Sequence, residues 1–292
     1  MSVWGAIGDG LAQVTGEQGA VTPLGEVGGG CINRAMRINH GGQTYFVKLN
    51  DAAHADMFAA EARGLRELRD SHSLRVPEPL CYGADAQSAW LVLEDLALGG
   101  SGDPAALGRG LAAMHRATRE YFGWERDNTI GSTPQINTRE GDWAVFWREH
   151  RLRFQLDLAE RHGYGGYLRA RGERLLIAFA QLFAGYRPAA SLLHGDLWSG
   201  NYDYTSGGEP VIFDPAVYYG DRETDIAMTE LFGGFGRTFY AAYRETWPLD
   251  EGYAVRKTLY NLYHVLNHLN LFGGGYLSQA QGMIDRLLSE LE

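Results

Sequence analysis

Hydrophobic and polar positions follow two periods along this chain, and the change from one to the other divides it. Val3, Trp4, Ile7, Leu11 and Val14 recur at helical spacing and predict an amphipathic helix that stops near Gly16. From Val21 the residues turn strand-like and run into Gly28, Gly29, Gly30, Cys31, Ile32 and Asn33. Arg34 to Asn39 alternates, His40, Gly41 and Gly42 make a turn, and Thr44 to Leu49 is the next strand. Phe58, Ala62, Leu65 and Leu68 mark a helix for which Asp51 is the expected N-cap. Two more strands follow, one through Tyr82 and one from Trp90 to Leu93 that runs into Glu94, Asp95 and Leu96. A strand that breaks into a polar turn and then into Gly99, Gly100, Ser101 and Gly102 reads as a hinge between two lobes, residues 1–96 and 97–292.

Past the hinge the pattern is mostly helical. Asp103 and Pro104 make a cap and first-turn pair, and Leu107, Leu111, Met114 and His115 follow at helical spacing. A polar loop spans 121–141, and Asp142 caps a helix carrying Trp143, Phe146, Trp147 and His150. Another helix runs through Leu175, Leu176, Phe179 and Phe183 to a strand at Leu192. Asp225 heads a helix with Ile226, Met228 and Leu231, and further helices run to the C-terminus. The expected class is α+β: a small antiparallel β-sheet N-lobe and a larger, mainly helical C-lobe.

Composition narrows the function classes. The chain has 292 residues, 45% hydrophobic and 21% charged, enough to bury a sizeable core. A formal net charge of −10 argues against a nucleic-acid partner and favours cationic or neutral substrates. The two cysteines, Cys31 and Cys81, have no spacing that suggests a zinc site or a disulfide framework, which fits a reducing compartment. No run approaches the ~18 apolar residues of a membrane span, so no membrane partner is expected and the cytoplasm is the default location.

The chemistry concentrates in LLHGDLWSGN, residues 192–201, and in the apolar run Val211, Ile212, Phe213 that ends at Asp214. An apolar run into a carboxylate reads as a buried strand delivering that carboxylate to a cleft. Phosphoryl transfer needs a carboxylate to receive the proton of the attacking hydroxyl and oxygen ligands for the metal on the nucleotide phosphates. Asp196 followed by Asn201 matches the catalytic-loop pattern of kinases, and Asp214 takes the second metal position. A single Asp before a turn is more often a cap, but three residues of the right type and order reverse that balance.

Upstream, glycines in the loop 28–33 let backbone N–H groups cradle phosphate oxygens, although glycine-rich hairpins are mostly turns and this loop departs from GxGxxG. Lys48 stands on the third strand, where a kinase's phosphate-contacting lysine belongs. Glu61 is the candidate partner for it from the following helix; the alternative is a surface carboxylate beside Arg63 or Arg66, with Glu67 as a neighbour. Backbone groups of Glu94, Asp95 and Leu96 would read the adenine edge. In the loop 121–141, Trp124, Asp127 and Asn128 suit sugar or polyol recognition. The short interval from Asp214 to Asp225 leaves little room for a long activation segment, which points to a small-molecule substrate.

With these residues in place the chain resembles the fructosamine 3-kinase family, within the larger aminoglycoside and choline kinase-like group. GGGCIN, YFVKLN, EARGL, FGWERDNTIGSTPQIN, HGDLWSGN and FDPAVYYGDRETDIAMTELFGGF carry the resemblance, which covers essentially the whole chain. It implies a bilobal protein-kinase-like fold and ATP- and Mg2+-dependent phosphorylation of the sugar 3-hydroxyl of a ketoamine, small or protein-linked, whose phosphorylated adduct falls apart and frees the amine. Residue by residue, it implies Asp196 as base, Asn201 and Asp214 as metal ligands, Lys48 as phosphate contact with Glu61 as its partner, and Trp198 stacked on the sugar. Asp225 resembles the helix-borne aspartate that braces the catalytic loop, and His194 supports the same loop. Cys31 stands where a cysteine of this family can form a redox-sensitive link between subunits; the competing reading is a small, inert hydrophobe. A kinase of another small alcohol or amine, and a nucleotide-binding protein without catalysis, are the alternatives.

Overall fold

Alternation in two neighbouring strands gives each of them two faces, and the faces meet different partners. The computed structural model describes residues 2–28 and 32–291, which group into two units: residues up to 103 with 202–215, and 104–201 with those from 216 onward. In the first unit, helix α1 (Val3–Thr15) precedes strands β1 (Thr22–Val27), β2 (Arg34–His40) and β3 (Gln43–Asp51), then helix α2 (Ala55–Asp70) and strands β4 (Pro79–Ala84) and β5 (Ser88–Glu94). The five strands pair antiparallel in the order β1-β2-β3-β5-β4. Ile7 and Leu11 of α1 pack on Met36, Ile38, Tyr45, Val47, Leu49, Trp90 and Val92, so one sheet face is closed by apolar burial. α2 packs along β4 and β5.

The opening helix starts at Ser2, whose hydroxyl accepts the Gly5 N–H at 3.2 Å, and ends at Gly16 with φ of 78°. Asp51 does not cap α2 as expected: it precedes a 3-10 turn, Ala52–His54, and its side chain makes no capping hydrogen bond. Of the expected glycine loop, Gly28, Ile32 and Asn33 are described, whereas Gly29, Gly30 and Cys31 lie outside the described residues. A short hairpin, Tyr202–Tyr204 with Pro210–Ile212, belongs to the first unit although it lies far along the chain. Ile212 N–H donates to Arg75 O at 3.0 Å and Gly100 N–H to Tyr204 O at 3.0 Å. These bonds draw the glycine-rich stretch up to Asp103 into the sheet unit, where the turn residues alone placed a boundary after Leu96.

The second unit is mainly helical. Helix α3 (Pro104–His115) begins at the proline, whose missing N–H costs nothing in a first turn. The strand Ala190–Leu193 lies between Tyr218–Gly220 and Thr118–Arg119, all antiparallel. Asp142 accepts the Val145 N–H at 2.9 Å and so caps its helix as expected. That helix passes into a π-helical stretch, Arg148–Arg153, whose wide turn holds the buried Arg151. Trp143, Trp147 and Tyr260 pack edge to face around the buried helix Tyr253–Phe272, with Trp147 and Tyr260 centroids 4.9 Å apart. No described helix is long and apolar enough to cross a membrane.

Candidate active site

Because side chains alternate along a strand, the residue between Val47 and Leu49 falls on the sheet face opposite α1. That residue is Lys48. On α2, Glu61 lies three residues after Phe58 and four before Leu65, on the helix's buried stripe, which resolves the choice against a surface carboxylate. The Lys48 Nζ donates to Glu61 Oε1 at 2.5 Å and to Asp214 Oδ1 at 2.5 Å. Burial alone would lower the Lys48 pKa, but the Asp214 and Glu61 carboxylates reverse that and hold the ammonium above its ordinary value. Burial pushes the Glu61 carboxyl up, with Lys48 pulling the other way. Asp214 follows the strand Pro210–Ile212 and has a left-handed backbone, φ 58°, a conformation Asp tolerates at a cost of about 1 kcal/mol. Its side chain is 48% exposed, so the cluster is closed at Lys48 and Glu61 and open at Asp214.

The neighbouring candidates of this unit are tied down differently. Asn33 Oδ1 accepts from Asn50 Nδ2 at 2.8 Å, fastening the exit of the glycine loop to β3. The Glu94 carboxylate pairs with Arg75, and its N–H is spent on Glu78 O at 2.9 Å. Asp95 pairs with Arg37 at 2.9 Å. Leu96 O accepts from Leu98 N–H at 2.9 Å, while the Leu96 N–H has no hydrogen-bond partner among the described residues.

In the second unit the strand Ala190–Leu193 delivers His194, Gly195 and Asp196. Asp225, in the first turn of the helix Glu223–Leu231, accepts the His194 N–H at 2.8 Å and the Gly195 N–H at 2.9 Å. Gly195 has φ of 81°, and a Cβ there would come within 2.1 Å of Ala216 O, so only glycine fits. The His194 ring, fully buried, accepts the Asp196 N–H at Nδ1, 3.3 Å away. Asn201 Nδ2 donates to Asp196 O at 2.8 Å and reaches Asp196 Oδ2 at 3.3 Å, which closes the loop from Asp196 to Asn201 on itself. Trp198, inside that loop, is 39% exposed, and Gly200 passes under its ring so closely that a Cβ would sit 2.4 Å from it.

Sequence reading passed over the groups behind Asp225. His115 Nε2 lies 3.1 Å from Asp225 Oδ2, and its Nδ1 lies 2.7 Å from the Tyr243 hydroxyl, which in turn accepts from Arg222 at 3.0 Å. With an arginine donating to Tyr243, the hydroxyl donates to Nδ1, and the Nε2–H donates to the carboxylate. Burial lowers the His115 pKa, so the ring is neutral, while Asp225 stays below the usual carboxylate range: burial raises it, and the hydrogen bonds from His115 and the Gly195 amide outweigh that. His115 on α3 gave one clue, a polar residue on an apolar face, but its partner lies 110 residues away.

The loop 121–141 is organised by its own polar side chains. Asp127 accepts the Asn137 N–H at 2.7 Å. Asn128 donates to Val217 O at 2.8 Å and accepts from Gln135 and Asn137 at 2.9 Å each. Trp124 is buried. These three side chains brace the loop.

Comparison with known proteins adds the lineage. The family model described as fructosamine kinase matches residues 3–290. A probable ketoamine kinase of Synechocystis sp. is 47% identical over 288 residues, covering 98% of this chain and 97% of its own. A chloroplastic protein-ribulosamine 3-kinase of Arabidopsis thaliana is 46% identical over 282 residues, covering 95% of this chain and 86% of its own. A solved structure from Haemophilus somnus 129PT, whose name includes fructosamine-3-kinase, superposes with a TM-score of 0.89 at 30% identity, covering 98% and 97% of the two chains. The aminoglycoside phosphotransferase APH(4)-Ia shares the fold, with a TM-score of 0.60 at 18% identity over 98% of each chain, and a thermostable mutant of it was solved with AMP-PNP and hygromycin B. The fold is the α+β, kinase-like one, and the chain belongs to the fructosamine kinase family.

Proposed function

We propose that this protein is an ATP-dependent ketoamine kinase that phosphorylates the sugar 3-hydroxyl of fructosyl or ribulosyl adducts. The observation that carries the reading is Lys48 held between Glu61 and Asp214: a buried ammonium fixed by two carboxylates, one of them half-exposed, is ready for a nucleotide phosphate. Family membership supplies the acceptor class, and the AMP-PNP complex of the APH(4)-Ia mutant supports the nucleotide.

Lys48 contacts the phosphates and Glu61 keeps its ammonium in place. The GGGCIN motif that begins at Gly28 is the expected phosphate cradle, and the Leu96 N–H, with the backbone of Glu94 and Asp95, meets the adenine edge. Asp196 receives the proton of the attacking hydroxyl, and Trp198 stacks on the sugar. Asp225 and His194 hold the Asp196 loop. Since Asp127 spends its hydrogen bond on Asn137 and Asn128 spends its own on Val217, Gln135 and Asn137, the sugar contact rests on Trp198.

Asn201 and Asp214 fit a magnesium ion, because an amide oxygen and a half-exposed carboxylate are the hard oxygen donors it takes, and the donation from Asn201 Nδ2 to Asp196 O fixes the amide's orientation. When bound, the ion neutralises charge on the phosphates. In the product, a 3-phosphate beside the C2 carbonyl is a leaving group once the sugar enolises toward C1, and water then hydrolyses the resulting imine and releases the amine. A redox-linked homodimer through Cys31 rests on the GGGCIN motif, and a non-reducing gel of wild type against Cys31→Ser tests it.

Incubation with ATP, magnesium and a panel of fructosyl and ribulosyl amines, aminoglycosides and choline, read as ADP release, tests the function. Turnover with the ketoamines alone is expected; turnover with the aminoglycosides or choline instead overturns it.

A further inference from the structure

Three large exposed hydrophobic side chains of the second unit lie together. Trp198, Phe232 and Phe272 are 39%, 42% and 56% exposed, and His268 links them. Trp198 meets Phe232 edge to face at 6.5 Å, Phe232 meets His268 at 5.0 Å, and His268 meets both Phe272 at 5.5 Å and Tyr276 at 5.2 Å. Contiguous exposed apolar patches on a folded protein often mark binding sites. This strip starts inside the loop that carries Asp196 and runs outward along the last turns of the helix Tyr253–Phe272.

One polar group interrupts the strip, and its chemistry is fixed. His268 Nδ1 lies 2.8 Å from His264 O, and a carbonyl can only accept, so Nδ1 carries the proton. Burial holds the His268 pKa below its ordinary value, so the ring is neutral. Nε2 is therefore a lone pair, with no hydrogen-bond partner among the described residues. An aromatic strip with a single acceptor suits an apolar chain that offers an N–H donor.

We infer that Phe232, His268 and Phe272 form a subsite, continuous with Trp198, that selects glycated peptides carrying an apolar residue beside the glycated lysine. The apolar side chain lies on Phe232 and Phe272, and the His268 Nε2 accepts a peptide N–H. This rests on the ketoamine kinase reading above. A free glycated amine fills only the Trp198 end, and a polar flanking residue gains nothing from the strip.

The test compares kcat/KM for two ribulosylated peptides that differ only in phenylalanine or glycine next to the modified lysine, with a small ribulosyl amine alongside. Covering an aromatic side chain on the strip is expected to favour the phenylalanine peptide about tenfold in the wild-type enzyme. Phe272→Ala, at a half-exposed helix end, should shrink that ratio toward one, and Phe232→Ala should do the same. Equal rates for the two wild-type peptides, with the small amine still phosphorylated, overturn the subsite and leave the kinase reading standing. Phosphorylation of none of the three overturns the kinase reading itself.

Discussion

Asp225 accepts the N–H groups of His194 and Gly195 through its two carboxylate oxygens, at 2.8 and 2.9 Å, and thereby sets the backbone immediately before Asp196. An amide at this position keeps one acceptor oxygen, so its NH2 faces either the Gly195 N–H or the His194 N–H together with His115 Nε2–H. Asp225→Asn is expected to cost about 3 kcal/mol of stability, because it leaves buried donors unpaired, and to lower kcat by more than tenfold. Chemical denaturation and steady-state kinetics check both. A fully stable, fully active variant contradicts the bracing role.

Gly195→Ala tests the same loop from its backbone. With φ at 81° and Ala216 O only 2.1 Å from the added methyl, the strand end must shift, and a cost of about 2 kcal/mol or more with loss of activity is expected. Native melting behaviour in that variant contradicts the packing described.

Lys48→Ala removes the cation from between Glu61 and Asp214. A buried Glu61 left without its partner is expected to destabilise the fold by about 3 kcal/mol, and the KM for ATP should rise. Adding Glu61→Gln should return part of the stability and none of the activity, since the uncompensated charge disappears while the phosphate contact stays lost. Simple additivity of the two losses contradicts the coupling.

Acid should weaken the fold below about pH 6.5, where unfolded histidines gain a proton. Burial holds His115 and His268 below their ordinary values and pushes His264 down to about 3, so the unfolded chain binds more protons there and stability falls as pH drops from about 6.5 toward 3. Asp221 acts in the opposite sense: burial, then Glu223, pushes it up to about 7, so its contribution is present below about 4 and is lost as pH rises through 7. Glu61, raised by burial, sides with Asp221, and Asp225, held low, sides with the three rings, so the net effect is loss of stability toward acid. Thermal melts between pH 8 and pH 5 check this; rising melting temperatures on acidification contradict it.

What the sequence disclosed follows the range of the interactions involved. Lys48 and Glu61 were readable because strand alternation and helical spacing are local: Glu61 shares a stripe with Phe58 and Leu65, and Glu67 does not. The order of Asp196, Asn201 and Asp214 was readable for the same reason, since each ends or follows an apolar run. The return of residues 202–215 to the sheet unit was not, because it depends on backbone bonds between Arg75 and Ile212 that no local pattern encodes. Nor was the work of Asp127 and Asn128, which depends on which donors of the loop find partners within it, such as Asn137 and Gln135. The support behind Asp225 joins His115, Tyr243 and Arg222 from three helical stretches, and one-dimensional spacing carries no trace of it.

The transfer itself is the most direct test of the whole account. Wild-type protein and Asp196→Asn, each given ATP, magnesium and a ribulosyl amine, should be compared by mass spectrometry and phosphorus NMR of the sugar product. The account predicts one phosphoryl group on the 3-hydroxyl with wild type and, for Asp196→Asn, a rate lower by about 100-fold or more with ATP affinity largely retained. A wild-type product phosphorylated elsewhere, or an Asp196→Asn enzyme that turns over at the wild-type rate, contradicts it.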